Sequence, residues 1–286
     1  MRPEWEPLEK RVLTNSKFVE PWTKIAFPGY VDNADHPFAY CESLTHKDGD
    51  KISNKWANFD GPDLFKKHLQ IMPRDWKYRT ADVTYNVNSS GYRTYEWKDI
   101  DWKNAIVVFG CSNTFGVGLD EPETFTGILE ELTGRQVVNL GYPAGSNDLI
   151  LQNASVLFEK FGVPYSVVVN WTTTDRTRFF ERHNAVDVGP WNETAGLFNN
   201  MPAKLYNLMI ADEYNLQTRN YYISRAMNAI WQGRTKYVTL SYFNLSAHFM
   251  LAETSFKIDN QARDLLHPGY ENSQEVAQYI YHRLNE

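Results

Sequence analysis

The strongest hydrophobic segment of the chain is Ala105-Ile106-Val107-Val108-Phe109. It stops at Gly110, ahead of the small, polar run Cys111-Ser112-Asn113-Thr114-Phe115-Gly116. Five consecutive apolar residues, three of them β-branched, predict a strand buried on both faces that ends in a tight turn. From Trp102 onward, strand and helix patterns alternate. A helix is predicted over about Glu123–Leu132, a second strand over Gln136–Leu140, and a helix capped by Ser146 or Asn147 that runs through Phe161. Tyr165–Trp171 and Lys236–Tyr242 read as further strands, and Ser273–Leu284 as a closing helix. Short strands separated by helical segments predict an α/β fold, with a parallel sheet covered by helices on both faces.

The first hundred residues read differently. Leu8–Phe18 has a weak helical spacing, and Pro21–Asp63 is rich in Pro, Gly, Asp and Lys with scattered aromatics, a pattern of long ordered loops. Asp63–Leu69 suggests a short helix. Asp82–Asn88 alternates like a strand and leads to the turn Ser89–Arg93. We therefore divide the chain into a loop-rich N-terminal extension, 1–100, packing on a main domain, 101–286. The main domain carries an insertion at about 176–232 with helical pieces at Lys204–Ala211 and Leu216–Trp231.

Composition narrows the possibilities. A chain of 286 residues can bury a large core. Its 9 Trp and 17 Tyr are compatible with carbohydrate contact, but equally with thick aromatic loops. A net charge of −6 argues against a general nucleic-acid binder. Cys41 and Cys111 imply no disulfide framework and no metal-ligand spacing, and no cofactor is expected. The first residues lack an apolar core of signal-peptide length, and no window approaches a membrane span. The expected location is therefore cytoplasmic, or a particle assembled there.

Chemistry centres on Ser112. At the exit of a parallel strand its hydroxyl faces the carboxyl edge of the sheet, where open α/β folds place their ligands. Its N–H, at a helix start, can stabilise a developing oxyanion. A lone Gly-x-Ser after a strand is more often a simple helix cap, so the partners decide. Near the C-terminus, Asp264-Leu265-Leu266-His267 offers an acid that can hold one imidazole nitrogen while the other faces the serine. The remaining histidines, His36, His46, His68, His183, His248 and His282, lack such a setting and read mostly as surface residues.

In order along the chain, these blocks resemble the SGNH (GDSL-like) hydrolase family. Phe109–Gly116 is similar to its Gly-Asp-Ser-x-Thr-x-Gly block, with Cys111 at the usual Asp. Asn139-Leu140-Gly141 is similar to the glycine block, and Asp264–Pro268 to the closing Asp-x-x-His-Pro. Asn88–Arg93 also resembles a stretch that precedes the first block in some members. The likeness covers about residues 85–175 and 235–286. It implies a three-layer α/β/α sandwich with a flavodoxin-like sheet and a triad of Ser112, His267 and Asp264. It also implies an oxyanion hole that includes the N–H groups of Ser112 and Gly141.

The family's oxyanion Asn falls on Thr174, a departure that leaves the third donor open between Thr174 and Asn147. Asn147 has helix capping as its competing role. Asn170 and Arg176 are candidates for substrate contact, although arginines on such a loop, Arg176 and Arg178 included, are more often solvated. The implied activity is hydrolysis of carboxylic esters without cofactor, on a small-molecule or glycan ester such as an O-acetyl sugar. Acyl transfer on the same triad, a non-catalytic binding protein and a virion-associated component are the alternatives. Oligomeric state is left open.

Overall fold

The computed structural model describes residues 37–39, 52–57, 60–181, 184–189, 212–243 and 252–286. The predicted helices at Leu8–Phe18 and Lys204–Ala211, and most of the loop-rich 21–63 stretch, lie outside these residues.

In the extension, β1 (Ile52–Asn54) and β2 (Tyr85–Val87) pair antiparallel, with α1 (Pro62–Ile71) between them. The main domain follows with β3 (Ile106–Gly110), α2 (Ser112–Phe115), α3 (Phe125–Thr133), β4 (Val137–Gly141), α4 (Asn147–Phe161) and β5 (Ser166–Trp171). Next come β6 (Thr177–Glu181), β7 (Asn184–Val188), α5 (Glu213–Trp231), β8 (Lys236–Ser241), β9 (Thr254–Ser255) and α6 (Tyr270–Asn285). Thr124 and Ser146 cap α3 and α4 by accepting the N–H groups of Gly127 and Leu149. Ser146, not Asn147, is thus the cap of α4.

The central sheet runs β4-β3-β5-β8-β9, with every pair parallel. This is the doubly wound, flavodoxin-like order, whose direction switches between β3 and β5. Strand side chains alternate between two cores. Val107, Phe109, Val138, Val167, Val169 and Trp171 pack with Ile150, Ala154 and Leu157 of α4 and Met227 and Trp231 of α5. Ile106, Val108, Val168, Val238 and Leu240 pack with Leu129 of α3 and Val276, Ala277 and Ile280 of α6. Both faces are covered, which is why these strands read as unbroken apolar runs.

A third cluster joins Tyr78, Val83, Tyr85 and Val87 of the extension to Phe115, Val117, Leu119 and Ala262. The extension is therefore packed on the segments that follow Ser112 and precede Asp264.

Strands β1, β6, β7 and β9 differ from the sequence reading, β1 because it falls in the 21–63 stretch read as loops. The insertion opens with the β6–β7 hairpin, ahead of the predicted helical pieces; Arg178 and Asp187, paired across it, break the apolar spacing that would have marked two strands. The two-residue β9 is too short to leave a periodic signal. Among the described residues, no helix is long and apolar enough to cross a membrane.

Candidate active site

The carboxyl ends of β3 and β5, beside the switch in strand direction, hold the Ser112 turn. A Cβ at Gly110 would lie 2.0 Å from Thr114 Oγ1, so only glycine lets α2 fold back so tightly on β3. The turn is held by buried polar groups. Asn139 Nδ2 donates to the Thr114 carbonyl at 2.8 Å, and Asn170 Nδ2 to Thr114 Oγ1 at 3.0 Å. Arg93, 2% exposed, donates to the carbonyls of Gly116 and Leu119 at 2.9 Å each and of Thr84 at 2.8 Å. The Asn88–Arg93 stretch presents that guanidinium from a turn in which Asn88 Oδ1 accepts the N–H groups of Ser90 and Tyr92.

Ser112 Oγ lies 2.8 Å from His267 Nε2, and His267 Nδ1 lies 2.5 Å from Asp264 Oδ2. The other Asp264 oxygen accepts the backbone N–H groups of His267 and Leu266, at 3.1 and 3.2 Å. That double acceptance needs a sharp turn, and Leu265 takes a left-handed φ of 57° to make it. Burial alone would push the Asp264 carboxyl up. The hydrogen bond and charge of His267 and the two backbone donors hold it below the ordinary aspartate value instead. With Asp264 a carboxylate, the 2.5 Å contact requires a proton on Nδ1. Nε2 is then the acceptor for the Ser112 hydroxyl.

The expected oxyanion donors do not all face this point. The Gly141 N–H donates to Asn139 Oδ1 at 2.9 Å. Asn147 is 1% exposed and fully engaged: Nδ2 donates to Thr172 O at 3.2 Å and to Asn220 Oδ1 at 2.7 Å, while Oδ1 accepts the Thr172 N–H at 3.1 Å. It ties α4, the end of β5 and α5 together. Thr174 is half-buried and its carbonyl accepts Asn220 Nδ2. The Ser112 N–H stands at the start of α2.

Asn170, read from the sequence as a substrate contact, is 1% exposed and bound to Thr114, so it supports the Ser112 turn. Arg176 is half-buried, with Nη1 3.4 Å from the Gly145 carbonyl. Burial would raise the Cys111 thiol, but the charge of Arg176, hydrogen bonds from Thr172 and Ser112, and the Asn113 N–H bring it below its ordinary value. Arg176 thus acts electrostatically on the residue next to Ser112. Arg178 is neither solvated nor a substrate contact: it pairs with Asp187, both side chains under a tenth exposed, and Asp187 also accepts the Ser146 hydroxyl at 2.6 Å. The β6–β7 hairpin is thereby fastened to the start of α4.

His68, expected at the surface, is buried with Nδ1 3.2 Å from the Arg263 carbonyl. His282 is exposed on α6, and His36, His46, His183 and His248 lie outside the described residues. Roles the sequence reading missed belong to Asn139, Arg93 and Asp60; a buried-partner role for Asn139 could have been suspected from its place in an otherwise apolar strand. A cavity of about 690 Å³ lined by Arg93, Tyr95, Glu121, Glu130 and Asn139, among others, includes none of Ser112, Asp264 and His267. Among the described residues, no group of three or more His, Cys, Asp or Glu side chains could hold a metal ion.

No protein-family model matches the sequence, and no curated protein matches it. Among solved structures, the chain is similar to a carbohydrate esterase family 2 enzyme plus carbohydrate binding domain from Corynascus thermopiles (Myceliophthora fergusii). That match has 12% identity and a TM-score of 0.39 over 64% of this chain, and spans 65% of that one. It is also similar to AlinE4, an SGNH-hydrolase family esterase, at 14% identity and a TM-score of 0.29, covering 65% of this chain and 75% of that one. A third similar structure is LAE5, an alpha/beta hydrolase enzyme from the metagenome of Lake Arreo, Spain, at 11% identity and a TM-score of 0.37, covering 64% and 95%. None of these overlaps is close enough to transfer a residue role.

Proposed function

We propose that this chain is a serine hydrolase of the SGNH (GDSL-like) type that cleaves carboxylic esters. The observation that carries the reading is the unbroken chain from Ser112 Oγ through the His267 imidazole to Asp264, with contacts of 2.8 and 2.5 Å. Ordered sequence blocks and a serine at the switch point of a doubly wound sheet support it independently.

In this reading His267 Nε2 takes the Ser112 proton as Oγ attacks the ester carbonyl. Asp264, ionised and buried, stabilises the imidazolium, which then protonates the leaving alcohol. Water enters the same path in reverse, releasing the acid and restoring Ser112. The Ser112 N–H is the first oxyanion donor, and the Thr174 hydroxyl is the side-chain donor we assign to the position of the family's Asn. One such donor is worth about 3 kcal/mol of transition-state stabilisation, so its exchange for a hydroxyl tunes the rate more than it alters the mechanism. We take short acyl esters, including O-acetyl groups on sugars, as the substrate class, with which the aromatic-rich composition is compatible.

The test compares wild type with Ser112→Ala in p-nitrophenyl acetate hydrolysis and in labelling by a fluorophosphonate. Turnover and labelling present in the wild type and absent in the variant are expected. A folded wild type that neither turns over nor labels would refute the reading. An acetylated-sugar panel then separates glycan from simple esters.

A further inference from the structure

We propose that Asp60 is a positioning residue of this site: the N-terminal extension completes the active site by setting the spacing between the Ser112 segment and the Asp264–His267 loop. The proposal rests on the serine-hydrolase reading above and assigns a role to a part of the chain that reading leaves idle.

The observation is a closed ring of buried hydrogen bonds. Arg263 is covalently next to Asp264. Its Nε lies 3.1 Å from both Asp60 oxygens and its Nη2 2.7 Å from Oδ2, with the two side chains 5% and 1% exposed. Asp60 Oδ2 also accepts the Tyr85 hydroxyl at 2.5 Å. That hydroxyl accepts the Gly118 N–H at 2.7 Å, and the Gly118 carbonyl accepts the Arg263 N–H at 3.1 Å. The ring therefore runs from the Arg263 side chain through Asp60, Tyr85 and Gly118 back to the Arg263 main chain.

Each link belongs to a different part of the molecule. Gly118 lies two residues beyond the cap of α2, on the segment that carries Ser112. It has a φ of 82°, and a Cβ there would meet Ala262 Cβ at 2.6 Å and Asp264 Oδ1 at 3.2 Å. The acid–base loop is thus pressed directly on the nucleophile segment, and the extension supplies the two side chains that close the contact. The Arg263 guanidinium is further held by the Lys55 carbonyl at 2.5 Å and by the rings of Trp56 and Phe65, at 4.4 and 5.6 Å from their centroids. His68 of α1 reaches the Arg263 carbonyl.

A buried ion pair is weak evidence for stability as such, because desolvation offsets most of its attraction. What this ring specifies is geometry. Loosening it should slow the chemical step while leaving substrate binding alone, since a displacement of about 1 Å at a reacting group can cost about a hundredfold.

The experiment uses the full chain as wild type, Tyr85→Phe, Asp60→Asn and a control, Ile280→Val, in the distant α6 core. Each is measured for p-nitrophenyl acetate kinetics, urea stability and the downfield proton resonance of the His267 Nδ1–H. Tyr85→Phe removes two hydrogen bonds of the ring, to Asp60 and from Gly118, and should lower kcat by about tenfold or more with KM unchanged. Asp60→Asn should lower kcat about a hundredfold. Both should shift or broaden the resonance, whereas Ile280→Val should lose stability without either effect. Folded Tyr85→Phe and Asp60→Asn proteins with wild-type kcat and resonance would overturn the proposal, as would a kcat loss that merely tracks stability in all three variants. If Asp60→Asn does not fold, Tyr85→Phe decides alone. If the wild type itself has no esterase activity, the hydrolase reading fails, and the resonance alone decides whether the ring positions His267.

Discussion

Replacing Arg93 by Met removes a buried cation of similar length while keeping an apolar stem against Tyr85 and Phe115, whose ring centroids lie 5.0 and 5.9 Å from the guanidinium carbon. In the native protein the guanidinium satisfies the carbonyls of Thr84, Gly116 and Leu119 at 2.8 to 2.9 Å, with a fourth contact at 3.4 Å to Phe115. Burial lowers the Arg93 pKa, and the guanidinium remains charged at neutral pH. Three close acceptors left without donors cost about 1–3 kcal/mol each, and relief of the buried charge offsets part of that sum. The net loss should be about 3–5 kcal/mol, comparable with breaking a buried ion pair. Urea denaturation is the assay: with a slope of about 2–3 kcal/mol per molar, the midpoint should fall by about 1–2.5 M. Activity should fall too, since two of the lost bonds hold the end of the Ser112 turn. A loss below about 1 kcal/mol with unchanged turnover would refute the idea that Arg93 ties this turn to β2.

Two further outcomes follow from the same geometry. Asp264 has its folded pKa held below the ordinary 3.8, so its contribution to stability is present above the unfolded value and lost as pH falls through the folded one. Urea midpoints of wild type and Asp264→Asn should therefore differ by a constant amount near neutral pH and converge below about pH 4; a gap that persists through acid would contradict the assignment. Gly110→Ala places a methyl 2.0 Å from Thr114 Oγ1. It should destabilise by about 1–3 kcal/mol as overpacking does, and it should slow fluorophosphonate labelling because α2 must move; a stable, fully reactive variant would show that the turn can yield.

The sheet was legible in the sequence because its signal is local. Runs such as Val167-Val168-Val169 have to be apolar throughout when both faces are covered, and the caps at Thr124 and Ser146 mark helix starts within a residue or two. The residues of the Ser112–His267–Asp264 chain were legible because their spacing within each block is short. Long-range polar partnerships left no such trace. Asn147 sits where a helix cap was the first reading and a donor the second, and its clasp with Asn220 joins positions 73 residues apart. The Asp60–Arg263 pair spans 203 residues, and no local pattern distinguishes it from two surface charges. The β6–β7 hairpin was missed for a related reason: Arg178 read as solvated, and its partner Asp187 is nine residues away across the turn.

These long-range bonds share a purpose that the strand register makes clear. β3 lies between β4 and β5, and Val108 of β3 is level with Asn139 of β4. The two asparagines on the flanking strands reach one residue from either side, Asn139 binding the Thr114 carbonyl and Asn170 its hydroxyl. Thr114 is two residues beyond Ser112, in a helix of only four residues that its own hydrogen bonds could not hold in one orientation. A serine presented on so short an element has to be fixed by its neighbours, and the strands flanking β3, already locked by the core, supply the fixed points. That is why a polar residue stands in the middle of otherwise apolar β4 and another near the end of β5. The same Asn139 amide that anchors Thr114 through its nitrogen accepts the Gly141 N–H through its oxygen. The Gly141 N–H is thus engaged by the side chain that also holds Thr114 in place.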